Sequence, residues 1–389
     1  MSELGSGGGP PLRVALLAHR LATAEPTGVG RYYRELAPAL AAAAAPDVVG
    51  YVVASPREQR TPGWVRPPLR HVALAGPRLA RHAAWCALRR PTVDRALGRP
   101  DLVHTLHPWA PTPTRGPLVV TVHDVMPIVH PEWHRRDERF GLQRGLAYAR
   151  DHAALIVVAS GWTRDLVRHH LEIGPERVVV VPEGVGAEFR RRPSTATIAE
   201  TCRRYGVEPG RYLVAVGAVA SRKNLLPVVR ALARVVPATI GAPALLVVGP
   251  AGRGAAAVRD EVDRLGLAPR VRFAGYVPGA TLRTLLAGAL ALVHPSLDEG
   301  FGLTPLEAMA AGTAVLASNA GSLPEVVGDG GVLVGPDDTD AWAGAIEAVA
   351  TDDEHRAALV AAGARHQARF TWEATARATM AAHLEVLRR

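Results

Sequence analysis

Short, almost uninterrupted apolar runs recur along the chain, separated by longer stretches of helical period. Leu12 to Ala18 (LRVALLA), Val48 to Ala54, Asp101 to Leu106, Leu118 to Val122, the ALIVVAS segment ending at Ser160, and Val178 to Val181 form a first series. Tyr212 to Val216, Leu245 to Pro250, Val271 to Val277, Ala289 to Val293 and Ala314 to Ser318 form a second. Runs of this length, apolar on consecutive positions, predict parallel strands buried on both faces. Between them, helices are predicted after Thr27, around Arg135 to Arg150, after Ser160 as N-cap, near Ile198 to Tyr205, and from Phe370-Thr371-Trp372 onward. Two series of alternating strands and helices predict two doubly wound α/β domains.

The boundary belongs where the composition turns to Arg, Pro, Ser and Thr, from Ala187 to Thr197. The first domain then spans residues 12–190 and the second 191–370. Ser55 to Arg70, rich in Pro and Arg, reads as an exposed loop. Residues 1–11, MSELGSGGGPP, read as a flexible leader without the basic and apolar regions of a signal peptide.

Ligands of such sheets bind beyond the carboxyl ends of the strands, so chemistry is sought there. After the strand at Ala289 to Val293, Pro295 and Ser296 end the run, and Glu299 lies in a loop with Gly300 and Gly302, whose missing side chains let backbone approach a ligand. Thr304 suits an N-cap, Pro305 the first helical position, and Glu307 the third residue of a capping box. The N–H groups of Gly302, Leu303 and the first turn then make an anion site. Glu307 either satisfies the Thr304 backbone N–H or accepts from a vicinal diol such as a ribose; Glu299 is placed for hydroxyls of a second sugar. Arg222 and Lys223 follow the strand Tyr212 to Val216 in the position expected for diphosphate contacts, against the alternative of a solvated turn. Lys223 is the only lysine among 45 basic residues.

The first series offers less. Gly28 and Gly30, with Arg31 after them, sit at a strand-to-helix turn, where a G-x-G alone does not separate a tight turn from a ligand loop. His104, His107 and Trp109 lie at a strand end without a metal-ligating partner nearby, and read as pocket lining or packing. His123, with Asp124 beside it, stands over the crevice at the next strand end, although a structural histidine fits the same position.

The window PSxxEGFGLxxLEAMAxGxxVxxSxxGxxPEVxGD, with Glu299 and Glu307 spaced E-x7-E, resembles the family 4 retaining glycosyltransferases of GT-B fold. The resemblance covers nearly the whole chain and is weakest from Ser55 to Arg99. It implies two Rossmann-like domains facing across a cleft, with the C-terminal helix, residues 371–389, crossing back to the first. It implies that Glu307 binds the nucleotide ribose, that Glu299 contacts the donor sugar, and that the backbone of Gly300, Phe301, Gly302 and Leu303 contacts sugar and phosphate. It further implies that Tyr276 and Val277 touch the base through backbone groups and that the Gly28–Gly30 loop closes over phosphate and acceptor. The motif H-D-x6-P-E-W, His123 to Trp133, resembles a subgroup containing many mannosyltransferases, in which the histidine contacts the donor hexose. The implied activity is transfer of a hexose, with mannose from GDP-mannose preferred, to an alcohol of a glycan, lipid-linked or natural-product acceptor. His123, Arg222, Lys223 and Glu299 carry that reading. A catalytically silent sugar-nucleotide-binding subunit, or a hydrolase or phosphorylase on the same fold, is the alternative.

Composition narrows this further. With 389 residues, 48% hydrophobic and 5% aromatic, the chain fills two cores mainly with Val, Leu and Ala. Cys86 and Cys202 are too few for a disulfide framework or a metal motif, which favours a reduced, cytoplasmic setting. Asp338-Thr339-Asp340 matches D-x-D but reads as an acidic helix start, so no metal and no cofactor are expected. The formal charge of +9 concentrates in the N-terminal half. An arginine-rich solvated surface is the first reading, peripheral contact with the anionic inner face of a membrane the second, and nucleic acid is not expected because no aromatic-interleaved module is present.

Overall fold

A computed structural model describes residues 11–18, 28–44, 49–56, 64–235 and 242–389. The leader up to residue 10, Thr27 and part of the Ser55–Arg70 loop lie outside the described residues. The chain forms two compact units, Met1–Gly184 with Thr371–Arg389, and Val185–Phe370. The change of unit at Gly184 falls six residues before the compositional boundary of 190. Phe189, in the 3-10 turn Ala187–Arg190, is buried in the second unit, so that a stretch reading as polar linker is anchored by one aromatic ring.

Unit 1 is a seven-stranded sheet of β1 (Leu12–Leu17), β2 (Val49–Pro56), β3 (Arg70–Leu74), β4 (Leu102–Thr105), β5 (Leu118–Thr121), β6 (Leu155–Val158) and β7 (Val178–Val180), in the order β3-β2-β1-β4-β5-β6-β7. All pairs are parallel, with Val14 beside Tyr51 on one flank and beside Leu102 on the other. Alternation along β1 splits its side chains between two cores. Val14 and Leu16 pack with Leu36, Leu40 and the C-terminal helix, while Ala15 and Leu17 pack with Leu74, Trp85 and Leu146. Burial on both faces is why β5 and β6 are almost wholly apolar, while β4 carries the buried His104 and Thr105.

Unit 2 is a six-stranded parallel sheet of β8 (Tyr212–Val216), β9 (Ala244–Val248), β10 (Val271–Gly275), β11 (Ala291–His294), β12 (Ala314–Ser318) and β13 (Val332–Val334), ordered β10-β9-β8-β11-β12-β13. In each unit the order reverses beside one central strand, between β1 and β4 and between β8 and β11. Such reversals open a crevice at the carboxyl edge.

The helix Trp372–Arg388, capped by Thr371 accepting from the Ala374 N–H (3.1 Å), belongs to unit 1. It buries Trp372, Ala376, Ala382 and Val386 against the helix Gly28–Ala43. It also delivers His383 into a buried polar chain. Tyr51 Oη lies 3.3 Å from His383 Nδ1, His383 Nε2 lies 2.9 Å from His104 Nδ1, and His104 Nε2 lies 2.8 Å from Thr121 Oγ1, which meets Tyr32 Oη at 3.3 Å. Burial pushes the His383 pKa down to about 3 and holds His104 well below the usual histidine range, so both imidazoles are neutral.

Candidate functional site

Unit 2 gathers its charged residues at the β8/β11 reversal. Beyond β8, Gly217 adopts φ +130°, and the chain turns through the 3-10 segment Ser221–Lys223 into the helix Leu225–Arg234. Asn224 takes the left-handed cap position (φ +48°) and is pinned by its amide donating to Pro336 O (3.0 Å) and Asp337 Oδ1 (3.1 Å). A side chain at Gly217 would press on Lys223 Cε at 3.0 Å, so the glycine keeps open the space in which the lysine lies. Beyond β11 the loop carries Ser296 and Glu299 to the same place.

Glu299 is turned inward rather than toward an open sugar site. Arg222 donates to its Oε2 (3.1 Å); Lys223 donates to its Oε1, and Ser296 Oγ donates to the same oxygen at 2.8 Å, with His294 Nε2 at 3.2 Å. The side chains of Glu299 and Lys223 are only 13% and 14% exposed, whereas Arg222 is 37% exposed and forms the outer wall. Burial opposes the charge on Glu299, but Lys223 and Arg222 override it and hold the carboxyl well below its usual range. Burial also lowers the Lys223 ammonium, against the pull of Glu299, and lowers the adjacent His294. Two cations thus share one carboxylate.

The helix after this loop starts two residues earlier than the T-x-x-E pattern predicts. It spans Leu303–Ala310, its N-cap is Gly302 at φ +115°, and no side chain caps it. Glycine reaches the left-handed region without strain and turns the chain directly into the helix, so Thr304 falls inside the first turn and the capping box does not form. Glu307 is buried on this helix, and Phe301 is buried in the loop before it, its carbonyl accepting from Ser322 Oγ at 2.5 Å. Tyr276 (41% exposed) and buried Val277 follow β10 at the same edge of the sheet. Asp338 caps the helix Thr339–Thr351 by accepting from the Ala341 N–H (2.9 Å), as the acidic helix start predicts.

Unit 1 places a different set at the carboxyl edge of its sheet. Gly28 and Gly30 lie within the first turn of the helix Gly28–Ala43, not in a turn preceding it. His107, Trp109, His123, Asp124 and His134 line one cavity of about 210 Å³ with apolar residues including Leu142. The two histidines of the strand β4 segment part company: His104 belongs to the buried chain above, His107 to this cavity.

His123 has both ring nitrogens committed. Nε2 donates to the Leu106 carbonyl (3.1 Å), and Nδ1 stands 3.3 Å from Oε1 of buried Glu183. The imidazole is thereby held between a backbone carbonyl and a buried carboxyl. The Tyr32 ring packs edge-on against His123 with centroids 4.8 Å apart. Asp124 Oδ1 accepts from the Met126 N–H (3.1 Å), which fixes the carboxylate at the start of the short helix Met126–Val129. Sequence reasoning passed over Glu183; its signal is an acidic residue in Pro-Glu-Gly at the carboxyl end of β7. It also passed over His294 and Ser296, which flank Pro295.

These two arrangements can be set beside known proteins. A model described as Glycosyltransferase Family 4 matches residues 26–189, and one described as Glycosyl transferases group 1 matches residues 203–366. The O-antigen chain mannosyltransferase B of Escherichia coli is 31% identical over 255 residues, which cover 66% of this chain and 67% of that one. The D-inositol 3-phosphate glycosyltransferase of Corynebacterium diphtheriae is 33% identical over 272 residues, 67% of this chain and 63% of that one. The matches thus span about two thirds of these curated relatives. The crystal structure of Anabaena HepE in complex with UDP and glucose shares the fold, with a TM-score of 0.73 at 20% identity over 96% of this chain and 99% of that one. With its N-terminal and C-terminal units each matched by a glycosyltransferase model, the chain belongs to the family 4 (group 1) glycosyltransferases of GT-B fold and is a glycosyltransferase.

Proposed function

We propose that the chain transfers a hexose from a nucleoside diphosphate sugar to an alcohol with retention at the anomeric carbon. The observation that carries the reading is the pairing of the only lysine and Arg222 to one carboxylate at the carboxyl edge of sheet β10–β13. A diphosphate arriving there competes with Glu299 for both cations, and the displaced carboxylate becomes available to accept from sugar hydroxyls. Glu307 takes the ribose, and the backbone from Gly300 to Leu303, with that of Tyr276 and Val277, takes sugar, phosphate and base. In the transfer, the bond from the anomeric carbon to phosphate oxygen breaks, the bond to the acceptor oxygen forms on the same face, and the acceptor proton passes to the departing phosphate. Negative charge grows on the diphosphate as it leaves, which is where Arg222, Lys223 and the helix N–H groups act most strongly. Protein cations then do the work of a divalent metal. GDP-mannose is the proposed donor, supported by the His123 to Trp133 motif and by the mannosyltransferase relative.

Calorimetry with GDP, UDP, ADP and TDP tests this. GDP is expected to bind tightest, and Lys223→Ala to weaken every diphosphate. Tighter UDP binding would sink the mannose donor, and no binding of any diphosphate would sink the reading itself.

Peripheral membrane contact is supported by one surface of unit 1. On the helix Arg78–Leu88 the exposed positions include Leu79 (77%), Ala80, Ala83, Ala87 and Leu88 (72%), none of them polar, and Phe140 (56%) is exposed on the helix Arg136–His152. The two helices are joined by Arg144 donating to Cys86 O (2.9 Å), and Arg89, Arg90 and Arg136 are exposed around them. Basic residues outnumber acidic ones by eight in unit 1 and by one in unit 2. Apolar side chains ringed by arginine suit an anionic lipid surface. Co-sedimentation with phosphatidylglycerol but not phosphatidylcholine vesicles, lost in Leu79→Asp/Leu88→Asp, is the expected result; no difference between the vesicles would refute it.

A further inference from the structure

The cavity at the carboxyl ends of β4 and β5 has a chemistry that selects among acceptors. We infer that it receives the accepting ring of the acceptor as an uncharged, hydroxyl-bearing ring and rejects one that carries a phosphate. The inference rests on the reading of the chain as a hexosyltransferase and adds the class of acceptor.

Three observations converge on it. The first is shape. Trp109, His107 and His123 follow one another along one wall, with ring centroids 5.6 and 5.7 Å apart. Such a row of rings suits the C–H side of a saturated ring, while His107 and Asp124 bring polar atoms to its hydroxyls. At about 210 Å³ the cavity is smaller than the roughly 300–1,000 Å³ of drug-sized sites, which suits one ring and not two.

The second is charge. Asp124 lines the cavity, and among the described residues lining it there is no Arg or Lys. Behind His123 stands the Glu183 carboxyl rather than a cation, so Asp124 sets the sign. Nearby Arg144 is held elsewhere, over the Phe140 ring (4.9 Å) and on Cys86 O.

The third is the absence of a substitute for those cations. Phosphate is held by guanidinium, ammonium or helix N–H groups. Here the N–H at the start of Met126–Val129 is taken by the Asp124 carboxylate itself (3.1 Å). A ring phosphate entering this cavity would meet a carboxylate and gain no cation, whereas a hydroxyl would find acceptors and donors in Asp124, His107 and His134. The inositol phosphate named for the Corynebacterium relative is therefore the wrong kind of ring for this pocket.

Saturation-transfer NMR on the full chain, with and without saturating UDP or GDP, tests the inference without requiring transfer. The probes are matched pairs: myo-inositol with inositol 3-phosphate, and methyl α-mannopyranoside with mannose 6-phosphate. At least one uncharged ring is expected to receive saturation, with its phosphorylated partner binding about 30-fold or more weakly, the scale of a like charge held close in a partly buried site. Trp109→Ala should abolish the uncharged signal, and Asp124→Asn should bring the two partners to within about threefold, with melting curves by circular dichroism confirming that each variant folds. Equal or tighter binding of the phosphorylated rings, no saturation of either uncharged ring, or a preference unmoved by Asp124→Asn would overturn the inference. Failure of the wild-type chain to bind any nucleoside diphosphate would instead refute the donor reading, leaving the ring comparison to stand on its own result.

Discussion

Both units hold their candidate sites at the carboxyl edge of the sheet, unit 2 at its order reversal and unit 1 one strand further along, and fill them with opposite chemistry. At the β8/β11 reversal, two cations close on one carboxylate, and the residues come from two short segments, Gly217–Lys223 and His294–Glu307. At the carboxyl ends of β4 and β5, imidazoles, an indole and one aspartate line a cavity, backed by Glu183 and by Tyr32, whose ring in turn meets Trp372 of the C-terminal helix. The sheet supplies the crevice and the loops supply the chemistry. A site drawn from two adjacent loops depends on local charge; one drawn from the whole unit depends on packing.

The strongest way to break that contrast is Trp372→Ala. Trp372 is 5% exposed in the unit 1 core, and truncation of such a ring costs about 3–5 kcal/mol. Calorimetric unfolding should show unit 1 melting earlier while nucleoside diphosphate affinity is unchanged; a loss of affinity would mean that the unit 2 site is not self-sufficient.

Lys223→Arg attacks the charge side. A compact ammonium fits where a planar guanidinium does not, and misplacing a contact that strengthens as the diphosphate leaves should cost about 2–4 kcal/mol, or roughly 30-fold to 1,000-fold in kcat. Donor affinity should fall much less. Arg365→Lys, at an exposed position, is the control, and near-wild-type turnover in Lys223→Arg would make the lone lysine an accident of composition.

Acid should separate the units by mechanism. His383 titrates near 3 when folded and near 6.5 when unfolded. Below about pH 6.5 the unfolded chain therefore binds a proton that the folded one refuses, and stability falls with pH at up to about 1.4 kcal/mol per unit. At pH 5 this amounts to about 2 kcal/mol, with His104 acting in the same sense. Glu299 has the opposite origin but the same direction: its carboxyl is depressed, so its contribution persists above the ordinary carboxylate range and goes only as pH falls toward its folded value. Unfolding of the wild type and of His383→Gln between pH 7 and 5 should differ by about 2 kcal/mol in pH dependence; parallel curves would contradict the buried neutral imidazole.

Smaller effects sharpen the same contrast. Glu299→Gln removes the internal competitor for Arg222 and Lys223, so diphosphate affinity should rise up to about fivefold, the scale of one partly exposed ion pair, while turnover drops. Unchanged affinity would show that Glu299 does not contest the diphosphate site. The smallest expected effect is none: activity should survive EDTA, and a loss restored by Mg²⁺ or Mn²⁺ would count against charge stabilisation by protein cations alone.

How much of this could be read from residues alone follows from burial. The central strands are mostly apolar because both faces are covered, and they were legible. The edge strand β3 (RHVAL) has exposed and half-buried residues and fell partly into a presumed loop. The helix Arg78–Leu88 went unread because it follows the Pro/Arg-rich stretch without a capping residue at its start, its N-cap being Pro77. At Thr304 two start signals competed, and the left-handed glycine prevailed over the capping pattern. The unit 2 site was legible because Glu299 and Glu307 share one window and Lys223 is unique. Glu183 lies 60 residues from His123, and only the fold brings the two together.

The place of the helix Trp372–Arg388 has a consequence for how the chain is made. The sheet β1–β7 leaves the ribosome first but lacks Trp372 and His383, which close one of its two cores. The intervening 186 residues of unit 2 take roughly 10–40 s to synthesise. During that interval the nascent first unit exposes the groove over Tyr32 and Leu36 that the helix later fills, whereas the second unit emerges complete. Of the two units, the one synthesised first is the one that finishes folding last.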